Sequence, residues 1–293
     1  MRPDPRFLQQ PKAFWANVRL LSQELGYTHK GSVKTYTERQ VKDTLDELHL
    51  GSEHLFAAGG TTELGSLLLQ YIEFRADALN RFVEPSLMDA PEASKLFAQL
   101  REQLNPKCPL PMNKQRGKKR KPAYLTGIVN MIVEANSAGC TVDYAPRELT
   151  TITRNGQPLR TLARWVDGCL PSAVNPVAVW EIKEYYHTTS FGSRVADGVY
   201  ETLLDGLELE ELREHERIHV DHVLFIDSHR TYWKDGKSFL CRVVDCLNMG
   251  YVDEVFFGRE VVQELPKRVA EWIATLQQRG AQAPASISST AAT

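Results

Sequence analysis

Near residue 110 the hydrophobic pattern of the chain changes period, and that change constrains the fold more than any single motif. Before it, apolar residues recur at helical spacing: Phe14, Val18, Leu21 and Leu25, then Val41, Leu45 and Leu48, then Leu64, Leu67, Leu68, Tyr71, Ala78, Leu79 and Phe82. Gly26 closes the first stripe, and Thr37 with Gln40 has the spacing of a capping box for the second. No alternating pattern interrupts them, so residues 1–110 are expected to form an all-helical region. Pro106, Pro109 and Pro111 then precede a basic run over residues 114–121, which marks the boundary.

After the boundary the grammar is mixed. Leu125, Ile128, Ile132 and Ala135 predict a helix that ends near Gly139. Residues 149–153 and 159–166 read as strands around Asn155-Gly156, a dipeptide favoured in tight hairpin turns. A third strand starts at residues 177–180. Val195, Val199, Leu203 and Leu207 predict a long helix, residues 223–226 a strand, Leu240 to Leu247 a helix, residues 255–257 a strand and residues 261–276 a helix that Pro266 interrupts. Three meandering strands followed by βα units predict an α/β (α+β) fold: a mixed central sheet with helices on both faces, spanning residues 111–280. Residues 281–293 are small and polar and read as a disordered tail.

Composition bounds the function classes. With 293 residues, 42% hydrophobic and 25% charged, the chain has the make-up of a globular protein, which excludes disorder, collagen-like repeats and coiled-coil rods. No apolar run approaches the roughly 20 residues of a membrane-spanning helix, and no signal-peptide core follows the first residues. Five cysteines without a CxxC spacing argue against a disulfide framework, and a cytoplasmic location is the expectation. The net charge of −2 does not mark a nucleic-acid binder. Locally, Lys114, Arg116, Lys118, Lys119, Arg120 and Lys121 could grip a phosphate backbone, with a salt slope of about −5 if all six made contact. The alternative is a solvated basic tract.

The sharpest local feature is Glu181-Ile182-Lys183, directly after the apolar run 177–180. Strand period two puts Glu181 and Lys183 on one face and Ile182 on the other. Asp167 ends the expected strand 159–166 and can converge on Glu181 if the two strands pair. Two carboxylates about 4 Å apart repel by roughly 4 kcal/mol at an effective dielectric of 20, so the pair invites a cation. All-oxygen ligands suit Mg²⁺, with Mn²⁺ as a substitute. Lys183 then supplies positive charge beside an attacked phosphate, or helps orient and deprotonate a water.

Asp167 and Glu181-Ile182-Lys183, in this element order, resemble the PD-(D/E)xK nuclease superfamily, the restriction-endonuclease-like fold. The resemblance covers roughly residues 120–260, with Val166 in place of the proline of the motif name. It implies that Asp167, Glu181 and the Ile182 carbonyl bind the metal and that Lys183 acts on the water or the transition state. It also implies a further acid on the preceding helix, a place that Glu134 matches, with Asn130 one turn earlier. Arg194, at the end of the polar stretch 185–194, is the residue expected to hold phosphate, and Asp197 and Tyr200 on the following helix could support the site. The expected function is a Mg²⁺-dependent endodeoxyribonuclease of restriction or phage-defence type, acting on DNA as a homodimer. Products would carry 5′-phosphate and 3′-hydroxyl ends.

Two other readings stand beside it. One is a catalytically silent nucleic-acid-binding module of the same fold. The other rests on His215-Glu216-Arg217-Ile218-His219, a literal HExxH, which would make a zinc peptidase. Arg217 inside the motif, and a strand expected from residue 222, count against it. A structural zinc on His215, His219 and His222 is a variant of that reading. No Walker A loop, dinucleotide-binding glycine pattern or G-x-S-x-G elbow occurs.

Overall fold

The computed structural model describes residues 1–113, 120–187 and 193–282. The N-terminal third contains α1 (Pro5–Leu8), α2 (Lys12–Leu25), α3 (Glu38–Glu47), α4 (Glu63–Asp77), a π-helical turn Ala78–Val83, α5 (Glu84–Ser86) and α6 (Ala90–Leu104). The Thr37–Gln40 capping box is formed, with both reciprocal bonds present. The region is not all-helical, however. Two small antiparallel ribbons interrupt it, β1 (Thr28–His29) with β2 (Ser32–Val33) and β3 (Phe56–Ala57) with β4 (Gly60–Thr61). Strands of two residues are too short to display alternation, which is why the sequence pattern conceals them. Phe7, Phe14, Trp15 and Tyr71 pack edge-to-face at the centre of the helices.

The remainder contains α7 (Tyr124–Asn136), β5 (Thr151–Arg154), β6 (Gln157–Thr161), β7 (Gly168–Leu170), β8 (Ala178–Glu184), α8 (Ser193–Glu216), β9 (Asp221–Asp227), a π-helical turn His229–Asp235, α9 (Lys237–Asn248), β10 (Glu254–Phe257) and α10 (Val261–Gln282). The main sheet has the order β10-β9-β8-β7; β8, β9 and β10 run parallel and β7 antiparallel to β8. Trp180, Ile182, Phe225 and Phe256 pack with α6, α7 and α10 on one face. Leu224, Ile226, Val255 and Phe257 pack with α9 on the other, and Val179 meets Leu209 and Leu212 of α8. Pro266 lies inside α10, which runs through it.

Two strand expectations need correction. The meander does not form, because β5 and β6 make a separate two-stranded hairpin around Asn155-Gly156, both at positive φ. The second strand of that hairpin ends at Thr161, and Asp167 instead leads into β7, the true partner of β8. Within the strand Arg160 pairs with Glu211 of α8, and beyond its end Arg164 pairs with Asp205 of the same helix. The expected tail falls mostly on residues 283–293, outside the described residues.

The N-terminal helices are clamped to the sheet-bearing part. Arg75 of α4, fully buried, makes two 3.0 Å bonds to Asp245 of α9 and one of 2.8 Å to Ser22. The Met1 ammonium caps Val255 O and pairs with Glu260. Among the described residues no helix is long and apolar enough to cross a membrane.

Candidate metal and phosphate site

Antiparallel pairing sets Gly168 opposite Trp180, so Asp167 stands beside Glu181 one step further on, with Asp167 N–H donating to Trp180 O at 3.0 Å. Gly168 is obligatory here: a Cβ would fall 2.3 Å from the Trp180 indole, which itself stacks on Trp272 at 5.7 Å. The Asp167 carboxylate accepts the Ile182 N–H at 2.8 Å. A strand residue sends its N–H and C=O toward the same edge, so the Ile182 carbonyl is directed to the Asp167 edge as well.

Period two puts Val179, Glu181 and Lys183 on the face covered by α8, while Trp180 and Ile182 face the opposite core. Along α8, Glu201, Asp205, Leu209 and Leu212 form one stripe antiparallel to that strand face. Lys183 Nζ lies 2.9 Å from Glu181 Oε2 and 2.6 Å from Glu201 Oε2. Gly198 packs against the lysine stem, where a Cβ would make an ordinary van der Waals contact of 3.5 Å. From the loop before Asp167, Arg164 contacts Asp205 at 2.6 Å, Glu181 at 2.9 Å and Glu201 at 3.3 Å. The cluster therefore has four carboxylates, Asp167, Glu181, Glu201 and Asp205, against two cations, Arg164 and Lys183. That leaves two formal negative charges when all are ionised.

The electrostatics assign roles. Burial alone would raise the Glu181 carboxyl, but the charges of Lys183 and Arg164 hold it below the usual carboxylate range. Burial would likewise lower Lys183, yet Glu181, Glu201 and Asp167 push it above an ordinary lysine. Lys183 is thus an ammonium at neutral pH, a donor of hydrogen bonds and charge, with no lone pair to take a proton from water. Asp205, fully buried, is raised by burial despite Arg164. One Asp205 oxygen, Oδ1, is buried without a hydrogen-bond partner. Glu181 Oε1 has Arg164 as a charged neighbour at 2.9 Å but no aligned donor, and the same guanidinium nitrogen donates to Asp205. Two buried carboxylate oxygens left without aligned donors, beside excess negative charge, are what a hard divalent cation could take, although no three of the four carboxylates bring ligand atoms within 4.8 Å of one another.

At the C-terminal end of the same strands lie two more carboxyls, the half-buried Glu184 and the fully buried Asp227. Glu184 accepts from Leu125 N–H at 2.7 Å and Thr126 Oγ1 at 3.2 Å, supplying the cap that α7 lacks in its own sequence. Asp227 accepts from Met88 N–H and Ser228 N–H and from the Tyr186 hydroxyl. Burial pushes each up to about 7.

The structure brings Asp167, Glu181, Ile182 and Lys183 together. It does not bring Glu134 to them. Ten residues down α7 from its Glu184-capped start, and so about 15 Å along the axis, Glu134 accepts from Lys107 N–H and lies against Cys108. Asn130, buried, donates to Pro109 O and fixes the linker instead of the site. Asp197 is exposed and outside the cluster. Tyr200 lines a cavity of about 340 Å³ with Tyr27 and Arg242, not the side of α8 that carries Glu201 and Asp205. Arg194 sits in the first turn of α8, its side chain outside the described residues.

Of the basic run, Lys114, Arg116, Lys118 and Lys119 lie outside the described residues. Arg120 and Lys121 are exposed at the base of an arm whose two sides pair through Asn113 N–H to Lys121 O and Ala123 N–H to Pro111 O. Burial lowers the His187 pKa, and the nearby charge of Lys121 lowers it further, so Lys121 lies beside the segment that leaves the Lys183 strand. Tyr185 and Tyr186 pack inward, onto Tyr232 and Asp227.

The HExxH reading fails on geometry. Helix α8 ends at Glu216 and Arg217 takes φ +58°, so His215 and His219 share no helix face. His219 instead lies 2.9 Å from Asp221 and 3.5 Å from Asp253. The Asp221 hydrogen bond raises the His219 pKa, and Arg268 and Trp272 already satisfy the other Asp221 oxygen. That cluster, at the opposite end of β9 from Asp227, is explained as a charge network.

Sequence reasoning misses Arg164, Glu201 and Asp205. The i, i+4 spacing of the two acids was the available signal, but it is indistinguishable from a solvated helix face until the strand beneath is known.

A family model described as Domain of unknown function (DUF7687) matches residues 88–272, and a second, Domain of unknown function (DUF7690), matches residues 1–82. No curated protein and no solved structure matches the chain.

Proposed function

The chain belongs to the DUF7687 domain family, and we propose that it is a divalent-metal-dependent endodeoxyribonuclease with a restriction-endonuclease-like core. One observation carries this reading: Asp167 faces Glu181 across a strand pair, with Lys183 on the same face and the Ile182 N–H held by Asp167. Asp167, Glu181 and the Ile182 carbonyl would hold Mg²⁺ or Mn²⁺, and the metal would supply Lewis-acid polarisation of the phosphate and of a bound water. Lys183, as a fixed ammonium, stabilises the charge that develops on the phosphate oxygens. Water oxygen bonds to phosphorus, the P–O3′ bond breaks, and the 3′ oxygen leaves as a hydroxyl, with the 5′-phosphate on the other product. The basic arm at Arg120 and Lys121 would hold the backbone. A homodimer, cutting one strand per protomer, and a role in restriction or phage defence complete the proposal by analogy of fold.

A silent binding module is the second reading, and Arg164 favours it: a guanidinium already sits among Glu181, Glu201 and Asp205. Cleavage of plasmid DNA with Mg²⁺ or Mn²⁺, against EDTA, separates the two. Lys183→Ala and Asp167→Asn should each lower the rate by about 100-fold or more. Undiminished cutting by both variants would exclude the assignment. Metal-independent binding without any cutting would favour the silent module.

A further inference from the structure

Between β6 and β7 every residue from Leu162 to Asp167 is anchored except one. Leu162 is fully buried, Ala163 N–H donates to Glu208 at 3.0 Å, Arg164 enters the acidic cluster, Val166 is buried and Asp167 binds Ile182 N–H. Trp165, between the two cluster residues Arg164 and Asp167, is 59% exposed. The other four tryptophans, Trp15, Trp180, Trp233 and Trp272, are all buried. The most costly side chain to leave in water is therefore held out next to two residues of the acidic cluster, on a backbone pinned at both neighbours.

We propose that Trp165 is a stacking platform for one unpaired nucleobase next to the scissile phosphate. The inference rests on the nucleic-acid reading above and deepens it to a substrate class. An indole offers a flat, sequence-tolerant π-face. Bases inside an intact duplex have both faces occupied by their neighbours, so only a single-stranded, bulged or everted base can use that face. Substrates with an unstacked base at the cutting position are therefore preferred over fully paired duplex.

The position of Trp165 gives a direct readout, because the other indoles are shielded from solvent. Tryptophan fluorescence of the full chain would be titrated in EDTA, and again with Ca²⁺, with three probes: a single-stranded 20-mer, the matched duplex and the duplex with a central bulge. Fluorescence anisotropy of end-labelled probes would measure binding independently. The single strand and the bulged duplex should quench the emission, and the matched duplex should not. Trp165→Ala should abolish the quenching and weaken binding of those two probes about tenfold, while Trp165→Phe should retain most of the affinity. Circular dichroism verifies that both variants are folded. Binding without quenching, unchanged in Trp165→Ala, would overturn the stacking role and leave the nucleic-acid reading standing. Equal quenching by matched duplex would overturn the preference for unpaired bases. No binding of any probe at low salt would overturn both.

Discussion

Removing Arg164 tests the cluster more sharply than removing any of its acids. Its guanidinium touches Asp205, Glu181 and Glu201 at 2.6, 2.9 and 3.3 Å. In Arg164→Ala, Glu181 keeps Lys183, but the fully buried Asp205 loses its only ion-pair partner among the described residues. Deleting one member of a buried pair costs about 3–5 kcal/mol. Arg164 is itself partly open to solvent, so water can enter, and the lower end, about 3 kcal/mol, is expected. Asp205→Asn in the same chain should restore much of this, since a neutral amide needs no cation. The place vacated lies between carboxylates, so a divalent ion bound only by the native state should also compensate, by about 2.7 kcal/mol at a hundredfold excess over its Kd. The assay is urea denaturation of wild type, Arg164→Ala and the double variant, each in EDTA and in Mn²⁺. Mn²⁺ should raise the midpoint of Arg164→Ala more than that of wild type. An Arg164→Ala protein as stable as wild type, or one that Mn²⁺ leaves unmoved, would refute the view that these acids form a cation site.

Two further outcomes follow from burial elsewhere. Glu184 and Asp227 have folded pKa values raised to about 7 from ordinary values of 4.5 and 3.8. A raised carboxyl favours the folded state fully below its unfolded pKa, and that contribution is lost as pH rises through 7. Unfolding free energy should thus fall between pH 5 and pH 8, by roughly 3 kcal/mol per carboxyl at about 1.4 kcal/mol per pKa unit; denaturant titrations at four pH values check it, and Glu184→Gln with Asp227→Asn should flatten the slope. Arg75→Ala strands Asp245 at the junction of α4 and α9 and should cost about 3–5 kcal/mol, with N-terminal and sheet-bearing parts still unfolding in one transition by circular dichroism and tryptophan fluorescence.

What the sequence reveals depends on how local each determinant is. Glu181 and Lys183 are legible because strand period two fixes their relation within three residues. Asp167 is legible as a candidate, but for an inexact reason: it immediately precedes β7, three residues long, and does not end the hairpin strand before it. So short a strand carries no period of its own, and only the sheet register shows it beside Glu181. Arg164, Glu201 and Asp205 are invisible in sequence because their meaning lies in a crossing of α8 over β8, a tertiary fact. Glu134 illustrates the converse. Its place before the sheet matches a familiar pattern, yet α7 meets the strand ends at Leu125 and Thr126, so a residue more than two turns further on is carried away from the site.

The signs of charge around the site divide the work between its two halves. The metal-free floor, with four acids and two cations, is negative and would repel a phosphate; at 4 Å and an effective dielectric of 20 each uncompensated charge opposes the approach by about 4 kcal/mol. The described cations of the arm, Arg120 and Lys121, are exposed, so their attraction reaches only about a Debye length and weakens with salt. A backbone held by the arm alone would therefore stop short of the floor. A divalent ion reverses that: two positive charges cancel the two excess negative ones, and Lys183, fixed by Glu181 and Glu201 and always protonated, then presents the nearest positive charge to the phosphate. On the proposed nuclease reading, cation occupancy and entry of the phosphate would be one coupled event, so control of cutting would lie in the charge of the floor and affinity in Arg120, Lys121 and Trp165.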